Sequence, residues 1–204
     1  MENLILGFFT GASLILAIGP QNLFVIEQGL KRNFVFTITT ICAISDLLLI
    51  FLGIFIYHIF DFISSEVEVI LNIILILFLI KFIKDKILNL KKNHKVQNTK
   101  NSQNFKSIIL KTLGFTYLNP HVYSDTVFIL GNLSKNFTLL NKFYFASGAS
   151  FASIIFFYCL GYMSSMFANV IKKKNTWKYI NTFIIVFMSV LVVYITYDTY
   201  NRLF

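Results

Sequence analysis

Two aspartates lie inside stretches of sequence that are otherwise free of charge. Asp46 is the only Asp, Glu, Lys or Arg of the stretch Asn33–Phe60, and Asp125 is the only one of the stretch Thr112–Ser134. A charge at the centre of a membrane helix costs about 2.5–3.5 kcal/mol on insertion scales, so such acids usually mark pathways for substrates, ions or protons. No lysine or arginine lies in the middle of these stretches, which makes a mobile cation or a proton the expected partner. The alternative is a protonated, hydrogen-bonded structural aspartate.

The chain's two prolines also lie inside apolar stretches, at Pro20 and Pro120. A proline in a helix interior removes a backbone donor and clashes with the preceding turn, at a cost of about 3 kcal/mol or more. Asn119 before Pro120 predicts an N-cap and a helix that starts afresh, and Gly19 before Pro20 permits the same break. A restarted helix offers N–H groups and a positive dipole end to a carboxylate, whereas a simple packing kink would not. The polar side chains beside these two breaks are Gln21, Asn22 and His121.

The composition requires that a membrane surround these residues. The 204-residue chain is 56% apolar and 13% charged, whereas a soluble domain has about 25% charged residues. Its 24 Phe and 10 Tyr exclude disorder, and two cysteines exclude a disulfide scaffold. A helix needs about 20 apolar residues to cross the bilayer core. The predicted spans are Asn3–Ile26, Asn33–Phe60, Val69–Ile80, Thr112–Ser134, Phe143–Ile171 and Tyr179–Tyr197.

The basic residues predict how these six spans are oriented. The net charge is +9, and 15 of the 18 lysines and arginines fall in the loops that follow spans one, three and five. Because cytoplasmic loops carry the excess of lysine and arginine, both termini are predicted to lie outside the cell. The basic stretch 84–105 is predicted to be a flexible cytoplasmic linker near anionic lipid headgroups. No aromatic residue interleaves its lysines, which argues against binding to nucleic acid.

The linker divides the chain into two halves, 1–83 and 106–204, each with three spans. The first helix of each half carries the proline, and the second carries a serine eight residues before a glycine: Ser45 and Gly53, Ser153 and Gly161. Since each half has an odd number of spans, the second must enter the membrane from the opposite side. The predicted fold is therefore an all-α polytopic membrane protein of two inverted three-helix repeats, an architecture of many secondary transporters, with helices one and four broken at their prolines.

Other motifs leave alternatives open. His121 and Asp125 are four residues apart on one helix face and could ligate a divalent metal. With Asp46 they would give the metal only three protein ligands, and we predict no bound metal or cofactor. Cys42 and Cys159 form no CxxC motif and are interpreted as packing residues, with a thiol–disulfide carrier as the alternative. The motifs Gly7–Gly11 and Gly148–Ala152 allow close helix approach, either within one chain or between the copies of a homodimer.

Three stretches resemble signatures of the LysE-type lysine/arginine exporter family. They are IGPQNLFVIEQGLKR (Ile18–Arg32), CAISD (Cys42–Asp46) and TYLNPHVYSDTVFILGNL (Thr116–Leu133), and FASGASFAS and WKYIN later in the chain are also similar. The resemblance covers nearly the whole chain except the linker. It implies a non-enzymatic exporter of basic amino acids in the bacterial inner membrane, driven by an ion gradient. It also implies that Asp46 and Asp125 are the functional acids, and Tyr123 belongs to the same motif.

We therefore expect lysine or arginine to bind with its carboxylate toward the restarted helices after Pro20 and Pro120. Its side-chain cation would meet Asp46 and Asp125, which would also carry the exchanged proton, because burial favours the neutral form of a carboxyl group. The predicted substrate-binding residues are Asp46, Asp125, Gly19, Pro20, Gln21, Asn22, Asn119, Pro120, His121 and Tyr123. The alternative functions are export of a divalent cation and transmembrane thiol–disulfide exchange.

Overall fold

The computed structural model describes residues 1–16, 19–60, 65–92, 104–169 and 174–203, and every regular element in these ranges is a helix. The α-helices are α1 (Glu2–Ile15), α2 (Pro20–Leu30), α3 (Val35–Phe60), α4 (Ser65–Lys92), α5 (Phe105–Tyr117), α6 (Pro120–Tyr123), α7 (Leu130–Ser134), α8 (Leu139–Met166) and α9 (Lys174–Leu203). A π-helical segment, Ser124–Ile129, joins α6 to α7, and a 3₁₀ turn, Phe167–Asn169, follows α8. The predicted all-α fold is confirmed for these residues.

Among the described residues, three helices are long and apolar enough to cross a membrane. They contain Val35–Ile56, Leu139–Met166 and Tyr179–Tyr197, which correspond to the predicted second, fifth and sixth spans. The pair α1 and α2 meets the same criteria if it counts as one span, and the axes of its two helices differ by 80°. The break predicted at Pro20 is therefore a sharp turn.

The predicted third and fourth spans do not meet these criteria. Helix α4 carries charged residues at both ends of its apolar centre, among them Glu68 and Lys81. The fourth predicted span is divided into α5, α6, the π-helical segment and α7, none of which is long enough alone. The division of the fourth span at Pro120 agrees with the predicted break, and the six-span architecture stays a prediction.

Helix α4 also corrects the boundary of the predicted linker. Residues 84–92, assigned to that linker from their charge, continue α4 without interruption. The reason is packing, because Phe82 and Lys86 are buried and Ile83 contacts the apolar core. Residues 93–103 of the predicted linker lie outside the described residues.

A tight backbone turn leads from α2 into α3. The amide of Arg32 donates to the carbonyl of Gly29 at 2.8 Å, and that of Asn33 donates to the carbonyl of Gln28 at 3.0 Å. This is the Schellman pattern that ends many helices, and Arg32 takes its left-handed position with φ 52°. The Arg32 Nε also donates to the carbonyl of Ser165 at 3.2 Å, so the turn is attached to the end of α8.

Phenylalanine rings fill much of the main apolar core, which is formed by side chains of α2, α3, α4, α5, α8 and α9. The ring of Phe115 on α5 stacks on Phe24 of α2 with centroids 4.8 Å apart. Phe78 and Phe82 of α4 approach the Phe115 ring edge-on, each at 4.9 Å. These four rings, called here the Phe115 cluster, connect three helices that are distant in sequence.

Helices α1 and α8 pack so closely that their glycines cannot carry a side chain. A Cβ atom added to Gly7 would lie 2.1 Å from the carbonyl oxygen of Phe145, and one added to Gly148 would lie 2.0 Å from that of Leu4. Both distances are far below van der Waals contact. The two small-residue motifs found in the sequence therefore face each other within one chain.

We expect Gly7→Ala and Gly148→Ala each to lower the free energy of unfolding by about 1–3 kcal/mol, because the added methyl group must push α1 away from α8. The measurement is the thermal unfolding of the purified protein in detergent. Phe9→Ala is the matched control, since Phe9 is on α1 and 67% exposed. Unchanged melting of both glycine variants would contradict this close packing.

Candidate functional site

A cavity with several polar side chains in its lining lies where the two broken helices meet. Its volume is about 320 Å³. It is lined by residues of α1, α2, α3, α6, α8 and α9, together with the residues before α2 and α6 and two residues of the π-helical segment. The lining residues are Ser13, Leu14, Ile15, Gly19, Pro20, Gln21, Asn22, Asp46, Asn119, His121, Val122, Asp125, Thr126, Phe157 and Leu191.

Most of the residues singled out in the sequence line this one cavity. They are Gly19, Pro20, Gln21, Asn22, Asp46, Asn119, His121 and Asp125. Tyr123 is not among the described lining residues, although Val122 before it is. Pro120 is the first residue of α6. Tertiary structure thus brings together two proline breaks that are 100 positions apart.

The first break is held by a side chain from the restarted helix. Gly19 has an extended backbone, α2 begins at Pro20, and the Asn22 side-chain amide donates to the carbonyl of Ile15 at 3.1 Å. This bond gives the last turn of α1 a replacement for the amide donor that a continuous helix would supply. No side-chain hydrogen bond caps α2, because Gly19 has no side chain.

The second break has the predicted N-cap. The Asn119 side-chain oxygen accepts a hydrogen bond from the His121 amide at 3.2 Å, and the Val122 amide donates to the carbonyl of Asn119 at 3.1 Å. The Tyr123 hydroxyl donates to the carbonyl of Tyr117 at 2.8 Å. It supplies a donor to the last turn of α5, as the Asn22 side chain does to the last turn of α1 at the first break. The first amides of α6 thus have partners, and the predicted cap by Asn119 is confirmed, whereas no side-chain hydrogen bond caps α2.

Asp125 lies in the π-helical segment rather than in a regular α-helix. A π-helical turn inserts one extra residue and is frequent at functional sites. The prediction that His121 and Asp125 share one helix face assumed an α-helix, whereas Asp125 lies in the π-helical segment. Both residues still line the cavity, with His121 exposed and Asp125 half-buried.

Asp46 is more deeply buried than Asp125. It is 3% exposed, and its Oδ2 accepts a hydrogen bond from the Ser153 hydroxyl of α8 at 2.9 Å. Its Oδ1 and the Nε2 of Gln21 are buried without a hydrogen-bond partner among the described residues. Such atoms are costly to leave unpaired, which marks this side of the cavity as a place for a further polar ligand. Sequence analysis had used Ser153 only to align the two halves.

A second charged cluster was missed by the sequence analysis. Glu27 on α2 is 2% exposed, and its Oε1 accepts from Lys31 and, at 2.8 Å, from the Nζ of Lys86 on α4. The Lys86 ammonium also donates to the side-chain oxygen of Asn181 on α9 at 3.1 Å. The spacing of Glu27 and Lys31 was a visible signal, but Lys86 had been assigned to the linker by its charge.

The geometry gives little support to the two alternative functions. Within the described part of the chain, no three His, Cys, Asp or Glu residues are grouped so that they could hold a metal ion. Cys42 is buried in the main core, Cys159 is exposed on α8, and neither forms a disulfide. The fold and the cavity together define a helical membrane protein with a polar site between broken helices.

Comparison with known proteins identifies the group to which this chain belongs. Residues 12–199 match the family model described as LysE type translocator. The arginine exporter protein ArgO of Photorhabdus laumondii subsp. laumondii is 32% identical over 193 residues, covering 92% of each chain. The lysine exporter LysE of Corynebacterium diphtheriae is 29% identical over 221 residues, covering 94% of this chain and 97% of that protein. No solved structure matches the chain.

The chain belongs to the LysE family of translocators, as the sequence motifs had suggested. It is accordingly a polytopic membrane transporter and not an enzyme.

Removing the hydroxyl that holds Asp46 tests the geometry of the site. We expect Ser153→Ala to lower the free energy of unfolding by about 1–3 kcal/mol, because it leaves both oxygens of a buried carboxyl group unpaired. Thermal unfolding in detergent measures the change. Ser165→Ala is the control, since Ser165 is also on α8 and donates to the Tyr162 carbonyl in its own helix. Equal melting temperatures for the two variants would argue against the bond to Asp46.

Proposed function

We propose that this protein exports basic L-amino acids, lysine or arginine, from the cytoplasm across the bacterial inner membrane in exchange for protons. The observation that carries the proposal is the cavity, whose described lining residues include two aspartates and neither lysine nor arginine. A site of this charge suits a ligand with a positive side chain. The names of the similar exporters support the same class of substrate.

The cavity has room for such a ligand. Binding sites for small molecules usually have volumes of about 300–1,000 Å³ and a few convergent polar groups, and this cavity is at the lower end of that range. We propose that the substrate carboxylate faces the uncapped start of α2 and the unpaired Nε2 of Gln21. The side-chain cation would then face Asp125.

The two aspartates differ in burial, and this supports different roles for them. Asp125 is half-buried and lines the cavity from the π-helical segment, where a bound cation could reach it. Asp46 is buried and held by Ser153, which suits a carboxyl group that gains and loses a proton. Outward movement of one positive charge opposes the membrane potential by about 2.3 kcal/mol per 100 mV, and an inward proton cancels that cost.

We further propose the six-span inverted-repeat architecture, with repeats 1–83 and 106–204, on the basis of which helices pack together. The second helices of the two halves, α3 and α8, pack on each other, and so do the third helices, α4 and α9. Helix α2 packs on α8 as the corresponding π-helical segment and α7 pack on α3. A pseudo-two-fold axis that exchanges the halves would produce this pattern, and rocking of one half against the other would give alternating access.

Each aspartate should be essential for export. We expect Asp46→Asn and Asp125→Asn to lower the rate of arginine and lysine efflux about 30-fold or more. Asp125→Asn removes the charge partner of the substrate, at a cost of about 2 kcal/mol or more, and Asp46→Asn removes the carboxyl group that carries the proton. The assay is efflux of labelled amino acid from cells that lack their own exporters, with membrane expression measured in parallel. The control is Asp85→Asn, an equal chemical change at an exposed position of α4.

The wild-type chain should also protect such cells from canavanine, a toxic arginine analogue. Wild-type efflux from either cavity variant would contradict the roles assigned to the aspartates. Resistance to cadmium or manganese without any resistance to canavanine would instead favour export of divalent cations.

Both termini are expected outside the cytoplasm, because 15 of the 18 lysines and arginines fall in alternate loops. A fusion of alkaline phosphatase to the C-terminus should then be active, and a fusion of green fluorescent protein at the same point should be dark. The opposite pair of results would reverse the orientation.

A further inference from the structure

A second cavity opens between α4 and α9, and its described lining is almost entirely apolar. Its volume is about 450 Å³, and none of its described lining residues also lines the central cavity. Helix α4 contributes a row of aliphatic side chains and one lysine: Ile80, Ile83, Lys84, Ile87 and Leu88. We call this cavity the α4–α9 groove.

The α9 side of the groove is formed by small side chains. They are Ser189, Val192 and Val193, whereas the bulky Phe183 lies six residues before Ser189 on the same helix. Small side chains at this level leave a depression between the two helices. Ile83 and Val192 also contact the main apolar core, so they form the floor of the groove.

The groove faces outward from the helix bundle. Ile80 is 48% exposed and Val193 is 68% exposed, so the edges of the groove are apolar and open. The apolar window of α9, within Tyr179–Tyr197, is only 17% buried inside the protein. Exposed apolar surface of this extent is typical of contact with a membrane or a protein partner. Because the chain is a membrane transporter, we infer that this face meets the hydrocarbon chains of lipids.

Lys84 is the charged residue of the described lining, and its ammonium group is available to a ligand. It is exposed and has no salt-bridge partner among the described residues. The other polar side chain is Ser189, whose hydroxyl donates to the carbonyl of Ile185 in its own helix at 2.8 Å. A lysine on such a surface lays its carbon stem along apolar groups and extends its ammonium group into the lipid headgroup region.

The sequence places Lys84 near the cytoplasmic surface of the membrane. It comes four residues after the predicted span Val69–Ile80, and the basic stretch 91–100, predicted to be cytoplasmic, follows it. The cytoplasmic leaflet carries anionic lipids, which attract basic side chains beside the membrane. Lys81 and Asp85 are also exposed on α4, but neither is among the described lining residues of the groove.

We propose that the α4–α9 groove binds one anionic phospholipid of the cytoplasmic leaflet, with an acyl chain against its apolar walls and the phosphate at Lys84. An apolar groove alone would accept any acyl chain, and a lysine alone would attract any anion. The combination of the two selects a molecule that has both parts. This inference does not depend on which substrate the central cavity transports.

The charge of the site is tested by native mass spectrometry of the purified full chain in detergent, with phosphatidylglycerol as the probe. We expect Lys84→Gln to weaken binding of the first phosphatidylglycerol about fivefold, and Lys84→Arg to retain it. Phosphatidylcholine, whose choline cation neutralises its phosphate, should bind equally to Lys84→Gln and the wild type. Lys81→Gln is the matched control, since it removes the same charge from the same helix outside the groove, and it should change binding less than about twofold.

The shape of the site is tested by filling the groove. Val193→Trp should weaken binding of both lipids about fourfold or more, which is the effect of leaving one methylene group unburied. Val190→Trp is the matched control, because Val190 is 62% exposed on the same helix and is not among the described lining residues. Since both positions are exposed, neither substitution should prevent folding.

Each contrary result overturns the inference in a different way. Equal weakening by Lys84→Gln and Lys81→Gln would show diffuse attraction of anionic lipids to a basic surface. Unchanged binding to Val193→Trp would show that no acyl chain occupies the groove. Displacement of phosphatidylglycerol by an equal concentration of glycerol phosphate would show a site for free phosphate instead of a lipid.

The outcome is also distinguishable from that of the proposed function. Lipid binding to the purified chain is measured without transport, so absence of arginine and lysine efflux would leave the lipid site intact. Absence of the lysine-dependent difference would overturn the lipid site even if the wild-type chain exports lysine.

Discussion

The structure depends on a requirement of the membrane interior, where a backbone carbonyl without a partner costs several kcal/mol. Two helices of this chain are interrupted by proline, and each interruption leaves carbonyls that the helix no longer satisfies. Asn22 supplies a donor to Ile15 at the first break, and Tyr123 supplies one to Tyr117 at the second. Both side chains come from the restarted helix. The interruptions can therefore face a polar cavity without an excessive cost in stability.

Because the breaks are satisfied in different ways, the two halves are related but not identical. Asn119 caps α6 with its own side chain, whereas Gly19 leaves the start of α2 without a side-chain cap. In the proposed function, one half would offer backbone donors to the substrate carboxylate, and the other would offer Asp125 to the side-chain cation. A zwitterionic ligand with a basic side chain matches such a division of charge. If the N-termini of α2 and α6 offered equivalent backbone donors, the site would instead favour a ligand with two negative groups.

The charged residues fall into two groups at different positions along α2. One group lines the central cavity with carboxylates and has no lysine or arginine in its lining. The other joins Glu27 to Lys31 and Lys86 beside a core of phenylalanine rings. A buried carboxylate with two ammonium partners is stable where it is, while Asp46 has a hydroxyl on one oxygen and no partner for the other among the described residues. This contrast is the reason why we place the proposed exchange of substrate and proton at the central group.

The sequence by itself determined the helical membrane character, the positions of both helix breaks and eight of the fifteen described residues that line the cavity. It could do so because the cost of burying a charge or breaking a helix is local, and it is visible at Asp46, Pro20 and Pro120 without knowledge of their neighbours. Only the tertiary structure decided which residues are partners: Ser153 for Asp46, Lys86 for Glu27, and the Phe145 backbone for Gly7. The charge of Lys86 predicts a position in the cytoplasmic linker, whereas the structure shows it buried and hydrogen-bonded to Asn181 of α9. Pairing depends on distances between helices far apart along the chain, and these distances follow from packing, which composition and spacing do not specify.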